Sequence, residues 1–276
     1  MKECVKRNPA IFYFVITFLI SWSGVLIVAS QTGIPATTEQ FDKLLPLAMI
    51  PFLFGPSISG LVLISITKGK EGFKSLFRIL FNWRLKTSFY LIAIFTIPLL
   101  SSLSLLILSQ FSDVYIPDII TTDNKTGLII SGLIYGIIGG GLLEELGWTG
   151  FAVPRLRERY SIFKTGLIVG LLWGVWHFLP VIWGCGDSAG NLVLYKFLPG
   201  FFFHYAGLIP TRILMVWLYD KSSSLILPIV VHATLTAFTF FILNISEVGI
   251  ALFNYYLSIA IGLWMIVILI QYKCRK

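Results

Sequence analysis

Residues 139–151 read GGGLLEELGWTGF and place two adjacent carboxylates, Glu144 and Glu145, inside a long apolar run. An ionisable side chain at membrane depth costs roughly 2.5–3.5 kcal/mol on insertion scales, so the few that occur there usually serve a function. The other apolar runs are almost free of charge, which makes this pair the first candidate for a functional site. The three glycines before the pair favour close approach of a neighbouring helix or a local bend.

The composition around this segment is that of a membrane protein. Of the 276 residues, 57% are hydrophobic and only 12% are charged, and the mean hydropathy is +0.87. Soluble domains carry about 25% charged residues. Continuous apolar runs of about 20 residues favour transmembrane helices over a β-barrel, whose strands alternate apolar and polar residues. We therefore predict one all-α polytopic membrane domain over residues 1–276, with about eight spans near 10–30, 44–67, 88–110, 128–153, 161–183, 197–218, 222–243 and 249–271.

The cations predict the orientation, because Lys and Arg near span ends are retained on the cytoplasmic side. With the N-terminus inside, 17 of the 21 cations fall in inner segments. The outer loops hold Lys43, Lys125 and Lys196, and the remaining cation, Arg212, falls within the sixth span. This topology explains the net charge of +8 through contact with the inner leaflet, so the charge does not indicate nucleic acid. We expect an integral protein of a prokaryotic cell membrane with both termini cytoplasmic.

The longest polar connection, residues 68–86, alternates cations with apolar side chains. This spacing predicts a basic amphipathic helix on the inner surface, and a membrane anchor is favoured over a substrate-docking element. The three cysteines, Cys4, Cys185 and Cys274, lie in different segments. Because Cys185 is predicted outside and the other two inside, no structural disulfide is expected.

All three histidines fall within predicted spans: His177 on the fifth, His204 on the sixth and His232 on the seventh. At a rise of about 1.5 Å per residue, Glu144, His177 and His232 lie within about 15–25 Å of the inner surface. Helix tilt of about 20° is enough to bring groups at these heights together, so they are expected to share one cavity. Adjacent helical residues diverge by about 100°, so one glutamate is expected to face the cavity while the other supports it.

Three motifs follow one another on three predicted helices. They read EELGWTGF at 144–151 followed by PRL at 154–156, WGVWHFLP at 173–180, and PIVVHA at 228–233. Together they resemble the CAAX protease and bacteriocin-processing family of intramembrane endopeptidases, relatives of the type II CAAX prenyl protease. The match covers about residues 127–240, which we take as the family-like catalytic core.

The resemblance implies an intramembrane endopeptidase that hydrolyses a membrane-embedded or lipid-modified peptide. It implies that Glu144 is the general base that activates water and that Glu145 is an assisting carboxylate. By the same resemblance, His177 helps to hold the water or its developing charge, and His232 supports the oxyanion. The implied partners are a membrane-associated peptide or protein substrate and the lipid bilayer.

Trp148 and Trp173 lie within the first two motifs and are expected to support the site by lining a substrate cavity. Two other positions depart from the family pattern: Thr149 stands where the family commonly has Arg, and Thr236 where the third motif usually has Asn. A threonine hydroxyl donates one hydrogen bond but lacks the two amide donors, and Thr149 carries no positive charge.

These departures leave alternatives open. The first is a catalytically inactive relative that acts as a membrane scaffold or immunity-type protein. The second is a small proton-coupled transporter, in which a buried Glu and His serve as a proton relay. Inverted repeats would favour the transporter, and the sequence shows no clear internal repeat.

No cofactor is favoured from the sequence. The HExxH signature of zinc proteases is absent, although a two-His, one-Glu zinc site made by Glu144, His177 and His232 is a geometric alternative. Metal-free glutamate catalysis is favoured over this divalent-metal site.

Two further segments, GCGD at 184–187 and Tyr219-Asp220, resemble the motifs of intramembrane aspartyl proteases. The predicted topology places Asp187 outside and Asp220 inside, in reversed order relative to that family. We interpret both as solvated loop acids.

Overall fold

Helices make up nearly all of the chain. The computed structural model describes the backbone of residues 2–275 and the side chains of residues 3–272. Within those residues no strand forms, and a single β-bridge pairs Gly186 with Leu192. The predicted all-α polytopic bundle is therefore confirmed. The long helices are α1 Pro9–Ala29, α2 Thr38–Leu80, α3 Thr87–Leu108, α4 Lys125–Arg157, α5 Ile162–Trp183, α6 Leu194–Ser222, α7 Ile226–Ile242 and α8 Ile250–Arg275. Shorter helical turns cover Lys2–Arg7, Asp113–Tyr115 and Asp118–Thr121.

Seven helices in the described chain are long and apolar enough to cross a membrane. The seventh predicted span, 222–243, corresponds to α7, which is apolar but shorter than 18 residues. A helix of this length rises about 25 Å, which is less than the ~30 Å hydrocarbon core. The difference arises because residue 222 still belongs to α6 and residues 223–225 form the link, so less of the apolar run remains for α7.

Neighbouring helices in the bundle pack so that α4 contacts both α2 and α7, while α7 also contacts α3. α5 packs along α6, and α6 in turn packs against α8. This arrangement places α4, α5, α6 and α7, which carry the glutamate pair, the three histidines and Arg212, next to one another. The thiols of Cys4 and Cys185 are free, whereas the side chain of Cys274 lies outside the described residues.

The helix that carries the glutamate pair is irregular. In α4, the stretches Tyr135–Glu144 and Trp148–Ala152 are π-helical, with a short α-helical stretch, Glu145–Gly147, between them. The second half of α7, Leu235–Ile242, is π-helical as well. Wider turns change the direction in which successive side chains point, and such segments are frequent at functional sites. Glu144 and Glu145 therefore stand at a change of helical winding.

The glycine run before the glutamates allows α7 to approach closely. A Cβ atom on Gly140 would lie 2.7 Å from Thr236 Oγ1 and 2.8 Å from His232 Nε2. Both distances are well below van der Waals contact, so only a residue without a side chain fits here. By contrast, a Cβ on Gly139 would meet only Leu53 Cδ1, at an ordinary 3.6 Å.

This contrast gives a matched pair of variants. We expect Gly140→Ala to cost about 1–3 kcal/mol of stability, because an added methyl group overpacks the interface between α4 and α7. Gly139→Ala should leave stability nearly unchanged. Thermal unfolding of the purified protein in detergent measures both, and equal shifts for the two variants would contradict the close approach described at Gly140.

Candidate active site

Glu144 is the acid that faces open space. Its side chain is 3% exposed, and one carboxylate oxygen, Oε2, accepts hydrogen bonds from Trp148 Nε1 at 3.2 Å and from Trp173 Nε1 at 2.8 Å. The two indoles fix the carboxylate because they approach from different helices, α4 and α5. The other oxygen, Oε1, lies 3.8 Å from His232 Nε2, which is too far for a direct hydrogen bond. Oε1 is therefore available to bond to a group inside the cavity.

Glu145 is fully buried, and three side chains bond to its carboxylate. Arg212 Nη1 donates to its Oε1 at 2.9 Å and to its Oε2 at 2.7 Å. Thr149 Oγ1 donates to Oε2 at 2.5 Å, and His232 Nδ1 lies 2.8 Å from Oε1. Two adjacent glutamates thus have different surroundings: Glu144 lines a cavity, and Glu145 is an ion-paired support behind it.

His232 connects the two glutamates. With Nδ1 bonded to Glu145, the imidazole ring is oriented so that Nε2 points towards Glu144. The ring also packs edge-on against Trp173, with centroids 4.8 Å apart. The Glu145 carboxylate at Nδ1 thus fixes the orientation of the ring and keeps Nε2 on the side of Glu144.

Arg212 was not among the site residues predicted from the sequence. It is fully buried on α6, and its guanidinium lies over the Trp173 ring at 4.1 Å from the centroid. Its Nε and Nη2 have no hydrogen-bond partner among the described residues. The sequence did contain a signal, because Arg212 was the one cation assigned to a span, and a buried cation requires an acid beside it.

The packing of α6 on α5 brings Arg212 close to Glu145. A Cβ on Gly170 would lie 2.8 Å from Ile209 Cα and 3.3 Å from Arg212 Cβ, so α6 rests directly on the glycine face of α5. Trp173, one turn further along α5, then covers the guanidinium. The same tryptophan therefore contacts Arg212 with its ring face and Glu144 with its N–H.

His177 stands apart from the glutamates. Its Nδ1 lies 2.8 Å from the carbonyl oxygen of Trp173, and its ring stacks on His204 with centroids 4.8 Å apart and planes 21° apart. Both imidazoles border the cavity that Glu144 lines. No hydrogen bond between His177 and either glutamate occurs in the described structure. His204, which the family resemblance did not include, thus accompanies His177 in the cavity.

The cavity has a volume of about 800 Å³. Its polar groups are concentrated at Glu144, His177, His204, His232 and Thr236. Most of the remaining wall is apolar, and α2 and the π-helical parts of α4 and α7 contribute much of it, including Phe52, Leu53, Tyr135, Leu143, Leu235 and Phe240. An apolar chamber with a few converging polar groups is the usual form of a binding site for an apolar ligand.

The residues predicted to support the site separate into two groups. Trp148, Trp173 and Thr149 hydrogen-bond to the glutamates, and Thr236 borders the cavity beside Gly140.

The two aspartates that resembled aspartyl-protease motifs do not meet. They lie at opposite ends of α6, since Asp187 precedes it and Asp220 is near its end. Asp187 is partly exposed in a loop, and backbone N–H groups of Asn191 and Ala189 lower its pKa by donating to its carboxylate. Asp220 is not a freely solvated acid as expected, because Arg157 pairs with it at 2.7 Å and about three quarters of its side chain is buried.

The zinc alternative requires Glu144, His177 and His232 around one ion. His232 Nδ1 bonds to Glu145 and His177 Nδ1 bonds to a backbone carbonyl, which orients both rings and leaves each Nε2 atom for other contacts. Among the described side chains, no group of three or more His, Cys, Asp or Glu is arranged to hold a metal.

Two comparisons with known proteins find similarity to CAAX prenyl proteases. The family model "Type II CAAX prenyl endopeptidase Rce1-like" matches residues 125–238, which include Glu144, His177 and His232. The chain is also 25% identical over 252 residues to CAAX prenyl protease 2 of Methanococcus maripaludis, covering 90% of this chain and 86% of that protein. The predicted resemblance to CAAX proteases, and with it the protease class, is confirmed.

The ion pair between Arg212 and Glu145 should be essential for stability. We expect Arg212→Met to cost about 3–5 kcal/mol, because it leaves the Glu145 carboxylate buried without a counter-charge. The matched control is Lys6→Met, whose side chain is 48% exposed and whose partner Glu3 is 87% exposed, and which should cost less than about 1 kcal/mol. Thermal unfolding in detergent compares the two, and a small, equal loss would show that the buried pair is dispensable.

Proposed function

We propose that this protein is an intramembrane endopeptidase that hydrolyses a peptide bond through a water molecule activated by Glu144. The observation that carries the proposal is the position of Glu144 at the wall of an apolar cavity, with one oxygen held by two indoles and the other open beside His232. A general base must reach its substrate water directly, and Glu144 Oε1 meets that requirement.

In the proposed reaction, Glu144 takes a proton from water while the hydroxide attacks the carbonyl carbon of the scissile bond. His232 donates its Nε2–H to the resulting oxyanion, which stabilises the charge that develops in the transition state. The protonated Glu144 then delivers its proton to the leaving amine, and the C–N bond breaks. Every proton is accounted for, and Glu144 returns to its starting form.

The surrounding charges support this division of labour. When Glu144 is ionised and His232 carries a proton on both nitrogens, two carboxylates face two cations, His232 and Arg212, and the buried cluster is neutral. Glu145 accepts from His232 Nδ1, so it stabilises the imidazolium without taking part in proton transfer. Charges in a low-dielectric interior require such pairing.

The contacts of Thr149 in the structure are compatible with an active site, although its sequence position departs from the family pattern. Its hydroxyl donates to Glu145, and Arg212 from α6 supplies a guanidinium to the same carboxylate. The positive charge absent at position 149 is therefore present at the site from another helix. This observation favours catalysis over the inactive relative.

For the substrate, we propose a lipid-modified peptide of the CAAX type. The support is the name of the relative, a CAAX prenyl protease, together with the apolar wall of the cavity. A cavity of about 800 Å³ that is polar mainly around Glu144 and the histidines suits an apolar chain with a peptide bond at one end.

The test of the base is Glu144→Gln, which keeps the shape of the side chain but removes its ability to accept a proton. We expect cleavage of farnesylated CAAX peptides by the lipid-reconstituted protein to fall about 10²–10⁴-fold, in line with the usual contribution of a general base. The matched control is Glu247→Gln in the loop before α8, which should leave the rate unchanged.

Cleavage that survives in Glu144→Gln would overturn the assignment of the base. Wild-type protein that is folded yet cleaves none of the peptides would favour the inactive scaffold, particularly if Thr149→Arg/Thr236→Asn gained activity. Solute flux coupled to protons, with no cleavage, would favour the transporter. A chelator added to the wild-type assay tests metal dependence, and the proposal expects no loss of rate.

Thr236 tests the oxyanion side of the cavity separately. A Cβ atom on Gly140 would contact both Thr236 Oγ1 and His232, so these two side chains lie near each other. The Thr236 hydroxyl can therefore donate to a group that His232 also contacts. We expect Thr236→Val, which keeps the side-chain shape, to lower kcat about tenfold or more while leaving KM nearly unchanged. An increase in KM alone would assign Thr236 to substrate binding.

A further inference from the structure

The last three turns of α2 and the link to α3, residues 68–86, form a basic surface segment. It holds six cations and one acid, Glu71. Gly69 adopts a left-handed backbone conformation, with φ of 55° and ψ of −139°, that glycine adopts readily. The chain kinks there, so residues 70–80 form a separate helical stretch after the membrane-spanning part of α2.

The outward face of this stretch combines cations with aromatic rings. Lys70, Lys74 and Arg78 are spaced four residues apart, and helical geometry places them within about 80° of one another, with Phe77 in the same arc. Phe77 is 55% exposed, and Phe81 and Trp83, just beyond the helix, are 67% and 62% exposed. Large exposed rings beside cations are typical of the membrane–water interface.

These cations have no acidic partners. No salt bridge in the described structure involves Lys70, Lys74 or Arg78. Further along the segment, Arg84 lies over the ring of Trp83, 5.4 Å from its centroid, and does not pair with an acid. The segment therefore presents a positive surface that needs an external counter-charge.

The opposite face joins the segment to the helices of the site. Leu76 is buried, and its Cδ1 would lie 2.9 Å from a Cβ on Gly150 of α4. Leu225 N donates to the carbonyl oxygen of Ile79 at 2.9 Å, directly before α7 begins. Asn82 and Ser224 also bond across this junction, since Ser224 Oγ donates to the carbonyl oxygen of Asn82 at 2.7 Å.

We propose that residues 68–86 bind the headgroups of anionic phospholipids in the leaflet that this surface faces. The cations hold the phosphates while Phe77, Phe81 and Trp83 enter the interface. Because the inner face of the segment contacts α4 and the start of α7, bound anionic lipid also stabilises the two helices that carry Glu144 and His232. Neither statement depends on the proposed proteolysis.

Trp83 provides a direct readout. The full-length protein is placed in nanodiscs that contain phosphatidylcholine and phosphatidylglycerol, with brominated acyl chains on only one of the two lipids. Subtracting the signal of Trp83→Phe isolates the quenching of Trp83. We expect brominated phosphatidylglycerol to quench Trp83 more strongly than the mole fraction of this lipid in the nanodisc would predict.

The matched variants are Lys70→Gln/Lys74→Gln and, at predicted outer positions, Lys43→Gln/Lys125→Gln. We expect the first pair to reduce the preference for phosphatidylglycerol roughly tenfold, and the second to leave it unchanged. The unfolding temperature of the wild type should also rise with phosphatidylglycerol content, and this rise should shrink in the first pair alone. Quenching without lipid preference, or equal losses in both pairs, would overturn the proposal.

Discussion

The buried pair between Glu145 and Arg212 is the interaction on which the rest of the site depends. Both side chains are fully buried, and each is a charge that the interior of the bundle tolerates only because the other is present. The pair joins α4 to α6, and Arg212 also contacts Trp173 of α5. Three helices are therefore held in one arrangement at the depth where Glu144 meets the cavity.

The ion pair positions the other side chains of the site through a series of contacts. Glu145 holds His232 by Nδ1, and His232 in turn directs Nε2 towards Glu144. The indoles of Trp148 and Trp173 fix one oxygen of Glu144 and leave the other open. The site thus separates a supporting carboxylate from a reactive one, although the two residues are neighbours in sequence. At the membrane surface, residues 68–86 contact α4 and the start of α7, the two helices that carry Glu144 and His232.

The sequence predicted the helical bundle because long apolar runs in lipid have few alternatives to helices. Ionisable side chains in predicted spans and the resemblance to CAAX proteases singled out Glu144, Glu145, His177 and His232; in the structure His232 contacts the glutamates, whereas His177 bonds to a backbone carbonyl. Arg212 was missed because its bond to Glu145 joins residues 67 apart and depends on how α6 lies on the glycines of α5, which spacing does not reveal. Likewise, the stacking of His204 on His177 depends on how α5 and α6 pack together.

A double-mutant cycle with Glu145→Gln and Arg212→Met tests the central claim most directly, with thermal unfolding in detergent as the measurement. If the two charges are buried because each compensates the other, the double variant should be more stable than the sum of the single losses predicts, by about 1–3 kcal/mol. Losses that simply add would contradict the account, because they would mean that the two residues contribute to the bundle independently.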